Sequence, residues 1–294
     1  MSSLLSGQLL FAALATGGLY ALVAFGLNLI YGTLRLLNVA HGEIVMLGAY
    51  AAYWAMTMMG GAPLFALPLA ALLLGAFGFA LYGGLFRLAL SRPALMKRIE
   101  GNSLLLFFGV SIILQNAVSL VFSASPRANK ADDALIAFAD IQTSQSRLMA
   151  VAITFLVCLS LAIALKTSWA GRAVRAMIQN RDAAAIVGIP LDRLQAWSFA
   201  IGFAVAGLAG ALVSLFEQIS PFMGFPYTVA AFVVIILGGL GNLAGSLAAG
   251  LLLGVVETFG VAATSANWRS ILVWGIFILV MLLKPQGLFG GSRR

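Results

Sequence analysis

Apolar residues run almost unbroken for about twenty positions at a time along this chain, interrupted by short polar or Gly/Pro-rich stretches. That is the length a helix needs to cross ~30 Å of hydrocarbon, whereas strands of an outer-membrane barrel would alternate apolar and polar positions. Nine such segments stand out, at residues 6–31, 38–59, 63–86, 101–123, 148–166, 194–217, 226–240, 243–264 and 268–284. They predict an all-α fold, a polytopic transmembrane helical bundle forming one domain over residues 1–294. Segment 226–240 is short and runs straight into "GGLGNLAG" (238–245), so 226–264 reads as two spans or as one re-entrant feature, giving eight or nine in all. The first segment has no basic stretch before it and stays apolar to Tyr31, which marks a span rather than a cleaved signal peptide.

Composition closes off the soluble alternative. The chain is 62% hydrophobic and only 9% charged, with a mean hydropathy of +1.05, and a water-soluble fold of this length could not hide so much apolar surface. The net charge of +8 would suggest nucleic acid in a soluble protein, but here its distribution makes it an orientation signal. Most of the 17 basic residues fall in loops on one face: Arg35, then Arg87 to Arg98, Lys166 to Arg193, and Lys284 to Arg294. The other face keeps Arg127, Lys130, Arg147 and Arg269, and Asp132, Asp133 and Asp140 balance most of these. Short cytoplasmic loops collect Lys and Arg, so the expected orientation has the N-terminus outside and the C-terminus on the cytoplasmic side of an inner-membrane type bilayer. The lone cysteine, Cys158, allows no disulfide and no multi-cysteine zinc site.

Glycine is abundant, at 32 residues, and recurs at small-xxx-small spacing: Gly241 to Gly245, Gly250 to Gly254, Ala206 to Gly210. Such spacing lets helices approach closely where lipid supplies no hydrophobic drive. Gly239, Gly241, Asn242 and Gly245 also suit a broken helix lining a pathway.

The longest basic loop, 167–193, alternates Ala173, Val174, Met177, Ile178 and Ile186 with Arg172, Arg175, Arg181 and Asp182, close to helical amphipathy. Pro190 is expected to end that helix. A short amphipathic helix of this kind lies on headgroups or docks in a partner's groove. Within it "RDAAAIVG" (181–188) resembles the Glu/Asp-Ala-Ala-x-x-x-Gly signature of ABC importer permeases through Asp182, Ala183, Ala184 and Gly188, without the downstream Ile-x-Leu-Pro. "GLNLIYGTLRLLNVAHGEIVMLGAY" (26–50), "GRAVRAMIQNRDAAAIVGI" (171–189), "AVAGLAGALVS" (204–214) and "ILGGLGNLAGSLAAGLLLG" (236–254) follow in order. Over nearly its whole length the chain thus resembles the permeases of branched-chain amino acid ABC importers, specifically the shorter of the two homologous subunits. The resemblance implies a homologous second permease, two cytoplasmic ATPase subunits that bind ATP and Mg, and a periplasmic solute-binding protein. It also implies an ATPase-coupling loop carried by Gly171, Arg172, Arg175, Arg181, Asp182, Ala183, Ala184 and Gly188. The chain has no G-x-x-x-x-G-K-[ST] with which to cradle phosphates, so no cofactor is expected in it.

Ionisable groups inside a membrane are costly, about 2.5–3.5 kcal/mol each, and mark sites by default. His41 and Glu43 fall at the expected cytoplasmic start of the second span. There Asn38 could cap the helix and Arg35 could pair with Glu43, pinning a turn or closing an inner gate; proton coupling through His41 is a lesser option. Glu217 and Glu257 are expected near the outer ends of their spans, beside "QISPFMGFPY" (218–227), as part of an outer gate or simply in the wet interface. No acid is expected at mid-membrane, which tells against an ATP-independent carrier or channel. One histidine with scattered acids supports neither an enzyme nor a metal site. The expected function is import of branched-chain or other hydrophobic amino acids by alternating access, with urea or short-chain amides as the alternative cargo.

Overall fold

The computed structural model describes residues 6–58, 63–87, 93–129, 134–138 and 140–290. Its elements are α1 (Gly7–Leu34), α2 (His41–Met58), α3 (Pro63–Leu81, prolonged by a π-turn at Tyr82–Phe86), α4 (Pro93–Phe122), the strands β1 (Leu135–Phe138) and β2 (Ile141–Ser144), α5 (Gln145–Thr167), α6 (Trp169–Gln179), α7 (Arg181–Ile186), α8 (Leu191–Val213), α9 (Gly224–Gly238), α10 (Leu243–Ala263) and α11 (Arg269–Leu283). All nine apolar segments therefore lie on helices. Among the described residues seven helices are long and apolar enough to cross a membrane; α2, whose 18 residues include His41 and Glu43, and α9, with 15 residues, are not among them.

The reason lies in where those two helices begin. After α1 the chain turns at Arg35 in the left-handed region (φ 58°, ψ 23°) and runs back as non-helical backbone through residues 35–40. It starts α2 beside Val23, whose carbonyl lies 3.1 Å from His41 Nε2. Val23 precedes Leu34 by eleven residues, about 16 Å at 1.5 Å per residue, so α2 begins near the middle of α1 rather than at its end. α9 begins at the same depth: Thr228 Oγ1 accepts from Gly42 N at 2.9 Å, and Tyr227 meets Tyr20 edge-on at 6.3 Å. The N-termini of two short helices thus meet in the centre of the bundle.

α1 and α8 form the buried core, and α4, α5 and α11 form a mostly exposed outer layer with bare Leu105, Leu120, Leu156 and Leu282. Small residues set the inner spacing. Gly250 and Gly254 of α10 stand against Ala21 and Gly17 of α1, so that a Cβ on Gly17 would come within 2.9 Å of Leu251 Cα; a Cβ on Gly26 would come within 2.7 Å of Gly202 O. The small-xxx-small glycines thus pack backbone on backbone.

One element departs from an all-helical pattern. Residues 135–144 form an antiparallel hairpin pairing Leu135 with Ser144 and Phe138 with Ile141. It caps the start of α1, with Gly7 N donating to Asp140 Oδ2 and Gln142 N to Gln8 Oε1, both at 2.9 Å. Arg127 and Ile219 exchange backbone hydrogen bonds beside it. At the opposite end Arg35 Nη2 donates to Ile178 O at 3.0 Å and Asn242 Nδ2 to Phe289 O at 2.7 Å. The loops therefore sort onto a hairpin end and a basic end, in the grouping the charges require. Lys130, Asp132 and Asp133, with Arg92, Arg293 and Arg294, lie outside the described residues.

Gly254→Ala drives a methyl into the backbone of α1, whereas Gly109→Ala on α4 meets open space. The first is expected to cost about 1–3 kcal/mol and the second close to nothing, read as thermal melting of the purified protein in detergent.

Candidate functional site

His41, Gly42 and Glu43 form the first turn of α2 and are fully buried. A helix start in the bundle centre presents backbone N–H groups that no water reaches, and each must find a partner inside the protein. Asn38 O accepts from His41 N, Ala40 O from Glu43 N, and Thr228 Oγ1 from Gly42 N, while Thr228 in turn donates to Val39 O at 3.0 Å. Thr228 of α9, not the side chain of Asn38, is the polar cap: Asn38 Oδ1 has no partner among the described residues.

Glu43 is likewise not paired with Arg35. Its Oε1 accepts from Ser111 Oγ at 2.9 Å and Gln115 Nε2 at 2.8 Å, both on α4, and its Oε2 lies against Gly224, where a Cβ would sit 2.6 Å away. Arg35 remains at the basic end, beside the Tyr31 ring. The expected ion pair fails because the chain carries Glu43 back to mid-depth, about 16 Å above the turn. An acid therefore does stand at the centre of the bundle, held by neutral donors.

At the basic end, loop 167–193 is two helices rather than one. Ser168 caps α6, accepting from Gly171 N at 2.9 Å, and Asn180, in extended backbone, ends α6 and caps α7 through Ala183 N at 3.0 Å. Gly171 is needed for contact, since a Cβ there would enter the backbone of Leu165 and Ala164. The inner face of α6 buries Ala173, Val174 and Met177; Arg172 and Arg175 lie outside. On α7, Ala184 is buried, Asp182 and Ala183 are exposed, and Ile186 is 86% exposed. Gly188 takes φ +81° just beyond, and Pro190 opens α8.

The broken-helix residues join this end, away from Glu217 and Glu257. Gly239 and Gly241 have φ of 92° and 83°, and Asn242 caps α10 by accepting from Gly245 N at 2.9 Å. Buried Asn28 of α1 donates to Asn242 O and accepts from Gly241 N. The Ile178 side chain lies between Gly32 and Gly241, within 2.9 Å of a Cβ on either.

Glu217 and Glu257 lie at the other end, around a cavity of about 570 Å³. Glu217 follows α8 and accepts from Tyr227 OH at 3.0 Å. Glu257 lies six residues inside the end of α10, is buried, and makes an ion pair with Arg269, which also donates to Tyr20 OH at 3.2 Å. A wet helix-end position does not describe Glu257. Among the described residues no group of three or more His, Cys, Asp and Glu is placed to hold a metal.

The family model described as branched-chain amino acid transport system / permease component matches residues 9–281. The chain belongs to this family. It is 35% identical over 294 residues to the high-affinity branched-chain amino acid transport system permease protein LivH of Salmonella typhimurium, covering 96% of this chain and 95% of that one. It is 32% identical to BraD of Pseudomonas aeruginosa, named for the same kind of system, at the same coverage. LivM of Escherichia coli, a longer permease, matches at 26% over 94% of this chain and 68% of its own. No solved structure matches the chain significantly.

In this permease the polar partners that sequence reasoning missed are Ser111, Gln115, Thr228, Tyr20, Tyr227 and Asn28. Ser111 and Gln115 carried a signal, being polar residues four apart on one face of an apolar helix. Removing Arg35 and Glu43 together is expected to be additive within about 0.5 kcal/mol, whereas Ser111→Ala with Glu43→Gln is expected to couple by more than that. Denaturation of the three single variants, Arg35→Gln, Glu43→Gln and Ser111→Ala, and of the two double variants in detergent decides it.

Proposed function

We propose that the chain is one of two homologous permease subunits in an ATP-driven importer of branched-chain amino acids, sited in a bacterial inner membrane. The observation that carries this reading is the match to LivH and BraD along 96% of the chain. By the excess of Lys and Arg, the basic end is cytoplasmic and the hairpin end periplasmic. The hairpin end then faces a solute-binding protein, and the second subunit is a permease of the LivM kind. ATP and Mg belong to two separate cytoplasmic ATPases.

Loop 167–193 is the coupling element. Ile186 and Val187 project from it, 86% and 74% exposed, as an apolar contact for an ATPase groove, with Arg172, Arg175 and Arg181 alongside. Its inner side bears on the bundle through Ile178, held by Arg35 and lodged between Gly32 and Gly241. Movement imposed on α6 therefore acts on α1 and on the α9–α10 turn together. Alternating access follows from rearranging the short helices α2 and α9, whose starts meet at mid-depth, against the longer ones.

The assembled importer in proteoliposomes, with its binding protein and ATP, is expected to take up labelled leucine and not urea. Ile186→Asp is expected to cut that uptake about ten-fold or more, as loss of a buried apolar interface contact does. Leucine uptake by this chain alone, without ATPases, would sink the proposal.

A further inference from the structure

The hairpin-end cavity has two unlike sides. Phe225, Val229, Val273 and Trp274 supply a hydrocarbon wall; Tyr20, Glu217, Glu257 and Arg269 supply a polar edge. Glu217, Tyr227, Tyr20 and Arg269 also line a small adjoining cavity of about 50 Å³, which places the second carboxylate near the guanidinium.

The polar edge is incompletely satisfied. Glu257 is only 4% exposed, and while its Oε1 pairs with Arg269, its Oε2 has no hydrogen-bond partner among the described residues. A buried carboxylate oxygen without a donor is costly, and the deficit calls for a cationic donor. The edge holds two carboxylates and one guanidinium, a formal charge of −1. Arg269 uses two of its five N–H donors, on Glu257 and Tyr20, which leaves others for an anionic group. The requirement is thus for a cation and an anion on one small molecule, next to an apolar group that fits the wall. A cavity of about 570 Å³ is within the usual range for a small ligand, roughly 300–1,000 Å³.

We infer that this cavity is where the permease holds its cargo, an aliphatic α-amino acid bound as the zwitterion. The ammonium lies on Glu217 and the free oxygen of Glu257, the carboxylate on Arg269, and the side chain against Val273, Trp274 and Phe225. This rests on the amino-acid importer reading above. The lower side of the site is the first turn of α9, Phe225 to Tyr227, and that turn is the one whose Gly224 closes on Gly42 and Glu43.

Equilibrium binding of labelled leucine to the assembled importer without its binding protein tests this, using leucinol, which lacks the carboxylate, and 4-methylpentanoate, which lacks the ammonium, as competitors. The wild type is expected to prefer leucine over each by about ten-fold or more, the worth of a charged hydrogen bond. Arg269→Gln is expected to erase the preference over leucinol alone, and Glu217→Gln the preference over 4-methylpentanoate alone. Should Arg269→Gln fail to assemble, Arg269→Lys, which keeps the charge and loses the forked geometry, is expected to weaken the leucinol preference, and Glu217→Gln stands independently. Unchanged discrimination in these variants, or no saturable leucine binding, in an importer that does take up leucine with ATP overturns the site. A wild-type importer that takes up no leucine overturns the functional reading itself, and the site with it.

Discussion

Starting a helix in the middle of a lipid-embedded bundle exposes backbone N–H groups where there is no water to meet them, and the centre of this protein is arranged around that problem. α2 solves it with Thr228 on Gly42 N and with its own preceding carbonyls. The solution needs α9 close enough for a threonine to reach, and that closeness needs glycine on both sides, at Gly42 and Gly224. A Cβ at Gly42 would overlap the Gly224 carbonyl; one at Gly224 would overlap the Glu43 carboxylate. Glu43 in turn has to be met from a third helix, and Ser111 and Gln115 of α4 do so. One interrupted helix thereby fixes the mutual positions of α2, α4 and α9, and through His41 on Val23 that of α1.

The surrounding helices follow from the absence of a hydrophobic drive between them. Lipid is as apolar as leucine, so tight association comes from backbone approach and from interhelical hydrogen bonds. Gly17 with Gly254 and Gly26 with Gly202 give the approach. Gln195, fully buried, gives a bond of the second kind at the basic end, accepting from Tyr82 OH and donating to Thr33 O to tie α8 to the end of α3 and to α1. Large aliphatic side chains are buried inside, as Leu22 and Ile30 are, and others are left bare on the outer layer, as Leu105 and Leu120 show.

The helices were legible in the sequence because twenty-residue apolar runs have few other uses, and the two-ended grouping of loops was legible because charge is excluded from hydrocarbon. Depth was not legible. A run of apolar residues looks the same whether its helix starts at the membrane surface or halfway across, so residues 35–40 read as a tight turn and Glu43 as a surface acid within reach of Arg35. The same blindness placed Glu257 near the outer end of its span, in an outer gate or the wet interface, although it lies buried and Arg269, twelve residues on, pairs with it in the fold. The hairpin at 135–144 escaped notice because two four-residue strands have no periodicity long enough to count against the helical pattern around them. The break in loop 167–193 did have a signal, in Asn180, whose side chain prefers a cap to a helix interior.

α9 is the element these features converge on. At one end Phe225 to Tyr227 border the cavity with Glu217, Glu257 and Arg269; at the other the Gly239–Asn242 turn is clasped by Asn28 and touched by Ile178 of the basic loop. Fifteen helical residues span about 22 Å, so one short rigid body reaches from loop 167–193 at the basic end to the cavity. Its near end is free to tilt only as far as two positive-φ glycines allow, and its far end only if Gly224 leaves Gly42 and Thr228 releases the start of α2. Tilting α9 away from α2 therefore strips Gly42 N–H of its Thr228 cap while the other N–H groups of that turn keep their own preceding carbonyls, which sets an energetic threshold on separating the two helices.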